Sequence, residues 1–171
     1  SRLPLGCDPV VDRALENFST GKGMEWGEHH ACLFHGTERF FRASYNANLL
    51  GSWLPALDGA VEKLEGGGRV ADVGCGHGAS TILMARAFPK ATFVGIDYHP
   101  SSIATAQQRA KEAGVSNAQF EVADATSYNG GQYDLIAFFD CLHDMADPAS
   151  AARHARNSLN KDGHVMAVEP F

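Results

Sequence analysis

From Arg69 onward, short apolar runs take turns with segments whose apolar residues recur at helical spacing. Residues 69–73, 92–96, 118–122, 133–139 and 164–168 read as strands, and residues 79–88, 100–113 and 149–159 as helices. Apolar strands that alternate with amphipathic helices predict an α/β fold, a Rossmann-like doubly wound parallel sheet covered on both faces. Right-handed crossovers bring all the carboxyl ends of the strands to one edge, and with them Asp72, Asp97, Asp124 and Asp140.

The pattern before Arg69 is less regular. Pro4, Gly6, Pro9, Gly21, Gly23, Gly27 and Gly36 are expected to break residues 1–36, apart from a short helix over 8–18 with Asp8 as cap and Pro9 in its first turn. Helices are expected over 37–50 and over 53–64, the second with Leu54, Leu57, Val61 and Leu64 on one face and Gly66-Gly67-Gly68 as its end. This divides the chain into an N-terminal irregular and helical segment, 1–65, on the lid or substrate side, and a core, 66–171.

Composition narrows the function classes. The 171 residues suit one domain, with 44% hydrophobic and 20% charged residues. A net charge of -6 without a basic run argues against sequence-independent nucleic-acid binding. No stretch reaches the roughly 18 apolar residues of a membrane span. Residues 1–20 lack a cationic start followed by an apolar core, and the four cysteines show no C-x-x-C spacing. A reduced, cytoplasmic setting is the expectation.

The strongest local signal is Val70-Ala-Asp-Val-Gly-Cys-Gly-His-Gly-Ala-Ser80, a strand, a glycine turn and a helix start. Such a turn lets a ligand approach the backbone, and the new helix offers unpaired N–H groups to an anionic group. Gly74, Gly76 and Ala79 also satisfy the G-x-G-x-x-G/A pattern of NAD sites. Asp72, expected to face the ligand from the strand end, and the third glycine, Gly78, turn the motif into D-x-G-x-G-x-G. In this the chain resembles the class I S-adenosylmethionine-dependent methyltransferases, most clearly over residues 66–170.

That resemblance implies a set of roles. Asp72, Gly74, Cys75 and Gly76 line the cofactor loop; Asp97, in Val94-Gly-Ile-Asp-Tyr98, accepts from both ribose hydroxyls, and Tyr98 lies against the adenine. A helix-capping role ahead of Pro100 is the alternative for Asp97. Asp124 meets the adenine amino group and the N–H of Ala125 a ring nitrogen, although a lone Asp there is also a turn former. Asp140 helps hold the methionine ammonium. His143-Asp144 resembles the His-Asp pair of small-molecule O-methyltransferases, in which the histidine deprotonates a hydroxyl, a suitable task for imidazole near neutral pH; substrate binding or helix capping is the alternative. His77 is expected to point to solvent or touch the methionine tail. Trp26-Gly-Glu-His29-His30 and His35 match no zinc spacing and read as a packed segment or a pocket wall; no metal is assigned. Arg39 and Arg42 read as solvated charges.

The function implied is methyl transfer from S-adenosylmethionine to a small-molecule acceptor. The subgroup it resembles carries an N-terminal winged-helix domain, dimerises, and adds two further strands, so the chain reads as a fragment. Three alternatives remain open at this point: an NAD-dependent oxidoreductase, a non-catalytic S-adenosylmethionine sensor of a transcriptional regulator, and a nucleic-acid methylase. Asp140-Cys-Leu-His stands where base-amine methylases carry Asn/Asp-Pro-Pro-aromatic, which weakens the last.

Overall fold

The computed structural model describes residues 11–169. Contacts divide the chain into two units, one up to residue 43 and one from residue 44 on.

In the first unit, α1 is Val11–Thr20, a single 3-10 turn covers Trp26–Glu28, and α2 is Ala31–Ser44, ending at the boundary. Neither α-helix contains a buried residue. Asp8 and Pro9, the expected cap and first turn of α1, lie outside the described residues. Gly36 does not break the chain as expected: α2 runs through it. One glycine within a helix costs only about 1 kcal/mol relative to alanine, less than its neighbours restore.

The second unit opens with a π-helix, Tyr45–Trp53, where α-helix to residue 50 was expected. The Leu54 N–H bonds the carbonyl of Leu49, five residues back, and the Asn48 amide donates to the carbonyl of Ser44. The expected helix over 53–64 shrinks to α3, Ala60–Glu65. Pro55 and a left-handed Gly59 at φ 71° keep the intervening residues in turns.

The sheet follows expectation closely. Its strands are β1 Arg69–Val73, β2 Thr92–Asp97, β3 Ala118–Val122, β4 Tyr133–Phe139 and β5 Leu159–Val168, and its helices α4 Ala79–Ala87, α5 Pro100–Glu112 and α6 Pro148–Ser158. All pairings are parallel, in the order β3-β2-β1-β4-β5. Strand β5 begins five residues before the expected position, because Leu159 already pairs with Tyr133 and an irregularity absorbs the extra residues before His164 meets Leu135.

The chain runs outward from β1 to β2 and β3, then returns to place β4 on the other side of β1. That reversal opens a crevice at the carboxyl ends of β1 and β4, where ligands of such sheets bind. One face of the sheet packs Ala71, Val73, Ile96, Ile136 and Phe138 with Tyr128, Tyr133 and Ala155. A second cluster joins Cys75, Ile103, Ala106, Ala110 and Phe120. Each large apolar side chain fully buried here contributes roughly 1.5–3 kcal/mol.

Candidate active site

The glycine loop leaves β1 with Gly74, Gly76 and Gly78 all left-handed, at φ 76°, 52° and 77°. A Cβ on Gly74 would lie 2.7 Å from the Cys141 sulfur, and one on Gly78 2.8 Å from the Phe120 ring. At Gly76 a Cβ would meet nothing within 4 Å. Gly74 and Gly78 are therefore required by packing, whereas Gly76 borders open space that a ligand can enter.

Backbone donors fix the loop to β2. The N–H groups of Gly74 and Cys75 both bond the carbonyl of Ile96, at 2.8 and 3.0 Å. The Gly76 N–H donates to Oδ2 of Asp97 at 2.9 Å, and the His99 N–H donates to its Oδ1 at 2.9 Å. A carboxylate has about four acceptor sites, so about two remain for a ligand hydroxyl pair. Burial raises the Asp97 carboxyl above its usual range, partly offset by these two donors. Tyr98, half exposed, follows directly.

Asp72 is 1% exposed and points beneath the start of α4, where Oδ2 accepts from the hydroxyls of Ser80 and Thr81, both at 2.6 Å. One oxygen of this carboxylate thus braces the first turn of α4. Its Oδ1 is buried with no hydrogen-bond partner. Burial pushes this carboxyl up to about 6, against the two hydroxyls that lower it.

Cys75 turns its side chain into the apolar cluster, and burial drives the thiol well above its usual range, so it offers the site backbone only. His77 is buried at 9% exposure rather than solvent-facing. Asp124 is exposed after β3 and accepts from the Thr126 N–H at 2.8 Å and hydroxyl at 2.6 Å, which lowers its carboxyl pKa. The turn-forming role is thus realised. Ala125 packs beside it against the core.

Beyond β4 the chain turns sharply. Asp140 is left-handed at φ 54°, and its N–H bonds the carbonyl of Val168. A 3-10 turn, Leu142–Asp144, then carries His143. Its Nδ1 lies 2.5 Å from Oε2 of Glu169, and its Nε2 3.5 Å from Oδ1 of Asp144. The other oxygen of Glu169 accepts from the N–H groups of Cys141 and Leu142, at 3.2 and 2.9 Å. The Glu169 hydrogen bond raises the His143 pKa above the ordinary histidine value. Burial works to raise the Glu169 carboxyl, but His143 and the two backbone donors outweigh it and hold it low. Burial raises Asp140, and the Glu169 and Asp144 charges add to that against His143.

Glu169 was not singled out from the sequence, yet the rule that selected Asp72, Asp97, Asp124 and Asp140 also selects it: it follows Val168, which pairs with Phe139. Asp140, His143 and Glu169 offer ligand atoms within 4.8 Å of one another, the one such group among the described residues, although no metal was expected. In the first unit, Trp26 packs on His29 and edge-on to Phe34, and Nδ1 of His30 accepts from the Cys32 N–H. The exposed Arg42 pairs with Glu38, whose side chain is only 12% exposed. No helix among the described residues is long and apolar enough to cross a membrane.

A family profile described as "Methyltransferase domain" matches residues 64–171. A ubiquinone biosynthesis O-methyltransferase of Acinetobacter baumannii (strain AYE) is 29% identical over 130 residues, covering 74% of this chain and 52% of the relative. The protein of the same name from Vibrio campbellii is 32% identical over 114 residues, covering 64% and 48%. Among solved structures, the [4+2]-cyclase SpnF superposes with a TM-score of 0.57 at 30% identity, covering 60% of this chain and 39% of that one. The chain spans about half the length of the curated relatives it matches. The glycine loop, the Asp97 contact and the sheet order agree with this match, and the chain belongs to the methyltransferase domain family, within the class I S-adenosylmethionine-dependent methyltransferases.

Proposed function

We propose that this chain binds S-adenosylmethionine at the crevice beyond β1 and β4 and directs its methyl group to a hydroxyl on a small-molecule acceptor. The observation that carries the cofactor half is the junction of Gly76 with Asp97: a loop N–H bound to a carboxylate that keeps acceptor sites to spare, beside a glycine open to a ligand. The residues present fit the cofactor in a second way. A buried Asp72 oxygen without a partner is an acceptor that an ammonium group can satisfy.

When bound, the cofactor supplies a methyl group already activated by its sulfonium, so the protein's share is alignment and proton removal. Gly74, Cys75 and Gly76 offer backbone to the methionine tail, with Asp72 and Asp140 as candidate acceptors for its ammonium. Asp97 takes the ribose hydroxyls, and Tyr98, Asp124 and Ala125 the adenine. His143 accepts the proton of the acceptor hydroxyl. The relatives' name, O-methyltransferase, supports oxygen as the atom methylated. The family match removes the support for a nicotinamide cofactor. SpnF is a [4+2]-cyclase on the same fold, so the methyl-transfer reading rests on the site and not on the fold alone.

Calorimetric titration with S-adenosylhomocysteine, with NAD in parallel, tests the reading. Micromolar binding of S-adenosylhomocysteine alone is expected. Asp97→Ala should weaken it at least tenfold, since each charged hydrogen bond is worth about 1.5–3 kcal/mol. Binding of NAD instead, or equal affinity in the variant, would overturn it.

A further inference from the structure

Asparagine is a thermolabile residue, and most of all before glycine, where no Cβ shields the main-chain nitrogen that attacks its side-chain amide. Of the asparagines in this chain only Asn129 precedes a glycine, Gly130. The fold sets it apart as well. Asn17 and Asn157 lie within α1 and α6, and Asn46 within the π-helix. The side-chain amides of Asn48, Asn117 and Asn160 are held by hydrogen bonds to the carbonyl of Ser44, to three main-chain carbonyls and to Oδ1 of Asp134. Asn129 and Gly130 are exposed, in the connection between β3 and β4 and outside any helix or strand. Among the described residues neither the Asn129 side-chain amide nor the Gly130 N–H makes a hydrogen bond. The Asn129 carbonyl, by contrast, accepts from the Gly131 N–H at 2.8 Å and from the Tyr133 hydroxyl at 3.2 Å.

We propose that Asn129 is a site of spontaneous covalent modification in the folded protein, where the Gly130 nitrogen closes on the side-chain amide and the residue becomes aspartate or isoaspartate. The Gly130 N–H gives its proton to water, and the nitrogen electron pair forms a bond to Cγ of Asn129. The bond from Cγ to the amide nitrogen breaks, and that nitrogen takes up a proton and leaves as ammonia. Water then opens the five-membered imide. Addition at Cγ gives aspartate; addition at the former main-chain carbonyl gives isoaspartate, whose chain runs on through Cβ and Cγ. Nothing is oxidised or reduced. The proposal is independent of the methyl-transfer reading, since Asn129 lies just before β4, at the end of that strand away from the crevice.

The surrounding packing gives the isoaspartate form a consequence. Its former carbonyl becomes a carboxylate off the main chain, and the anchor of the Tyr133 hydroxyl and the Gly131 N–H is displaced. Tyr133 is 1% exposed, packs with Ile136 and Phe138, and lies under the Arg69 guanidinium, 4.6 Å from its ring centroid. A Cβ on Gly131 would collide with that same guanidinium, so the chain is closely fitted where it enters the sheet. The isoaspartate form is therefore less stable than the parent.

The test is peptide mapping by mass spectrometry after the whole chain is kept in mildly alkaline buffer, folded and, in parallel, in urea. Asn129 should gain a carboxylate at a similar rate in both samples, while the other asparagines of the folded sample remain amides. Gly130→Ala, whose methyl group meets only the Ser158 hydroxyl, should slow the conversion by about tenfold or more. A more acidic fraction, separated by anion exchange, should contain isoaspartate at position 129 and unfold at lower urea than the parent. Asn129→Gln, which leaves the main chain as it is, should yield no such fraction. Conversion confined to the urea sample, an equal rate in Gly130→Ala, or an isoaspartate fraction that unfolds with the parent would each overturn the proposal.

Discussion

Gly74 and Cys141 lie 67 residues apart in the chain and in contact in the fold: a Cβ on Gly74 would fall 2.7 Å from the Cys141 sulfur and 2.8 Å from its Cβ. Since Sγ of Cys141 also donates to the carbonyl of Val73 at 3.2 Å, the end of β1 and the turn after β4 are packed as one piece. Gly74→Ala combines that collision with a left-handed φ, itself worth roughly 1–2 kcal/mol. It should destabilise strongly in urea unfolding. Cys141→Gly in the same molecule should recover the steric part and leave the φ part, and strictly additive effects would show that the contact does not couple the two turns.

Gly76→Ala should behave differently. The position is also left-handed, so about 1–2 kcal/mol of stability is lost, but no neighbour obstructs the new methyl group. Its effect should fall on the ligand, with S-adenosylhomocysteine affinity reduced more than tenfold in a protein that still unfolds cooperatively. Unchanged affinity would place the ligand elsewhere.

Asp72 sets stability against function. Its folded pKa, about 6, stands above the unfolded carboxylate value, so its contribution is fully present below about pH 4 and is lost as pH rises through 6. At neutral pH the ionised form costs on the order of 3 kcal/mol. Asp72→Asn keeps an oxygen for the Ser80 and Thr81 hydroxyls without the charge. Urea unfolding from pH 4 to 7 should show the variant gaining on the wild type as pH rises. Calorimetry should show it binding S-adenosylhomocysteine more weakly, because the orphaned oxygen is gone. Parallel pH curves for the two proteins would mean that the carboxylate is not buried in this way.

Asn117 separates fold from site. Its amide lies 2.9–3.1 Å from the carbonyls of Ala85, Phe88 and Ala91, closing the connection from α4 into β2. Asn117→Ala leaves buried acceptors unpaired and should cost about 1–3 kcal/mol in unfolding. S-adenosylhomocysteine affinity in the folded variant should remain within about twofold of the wild type.

Local pattern carried most of the sheet. The strands at Arg69–Val73 and Tyr133–Phe139 lie where periodicity and turn residues place them, because strands buried on both faces must be apolar and their breaks must be glycine or polar; the edge strand Ala118–Val122 shows instead an alternation of apolar and polar residues. The N-terminal half was harder to read. Gly36 inside α2 and the π-helix at Tyr45–Trp53 reflect small propensity differences, which neighbours outweigh.

The sequence alone determined the sheet class, the glycine loop and the row of acidic residues at the strand ends, since each follows from spacing within a few residues. Only the tertiary structure decided which way those side chains point: Asp72 under α4, Asp97 on the loop N–H, Cys75 into the core, and Glu169 against His143 from the neighbouring strand. Side-chain direction at a strand end depends on strand order and register, and these are fixed by contacts between residues far apart in the chain.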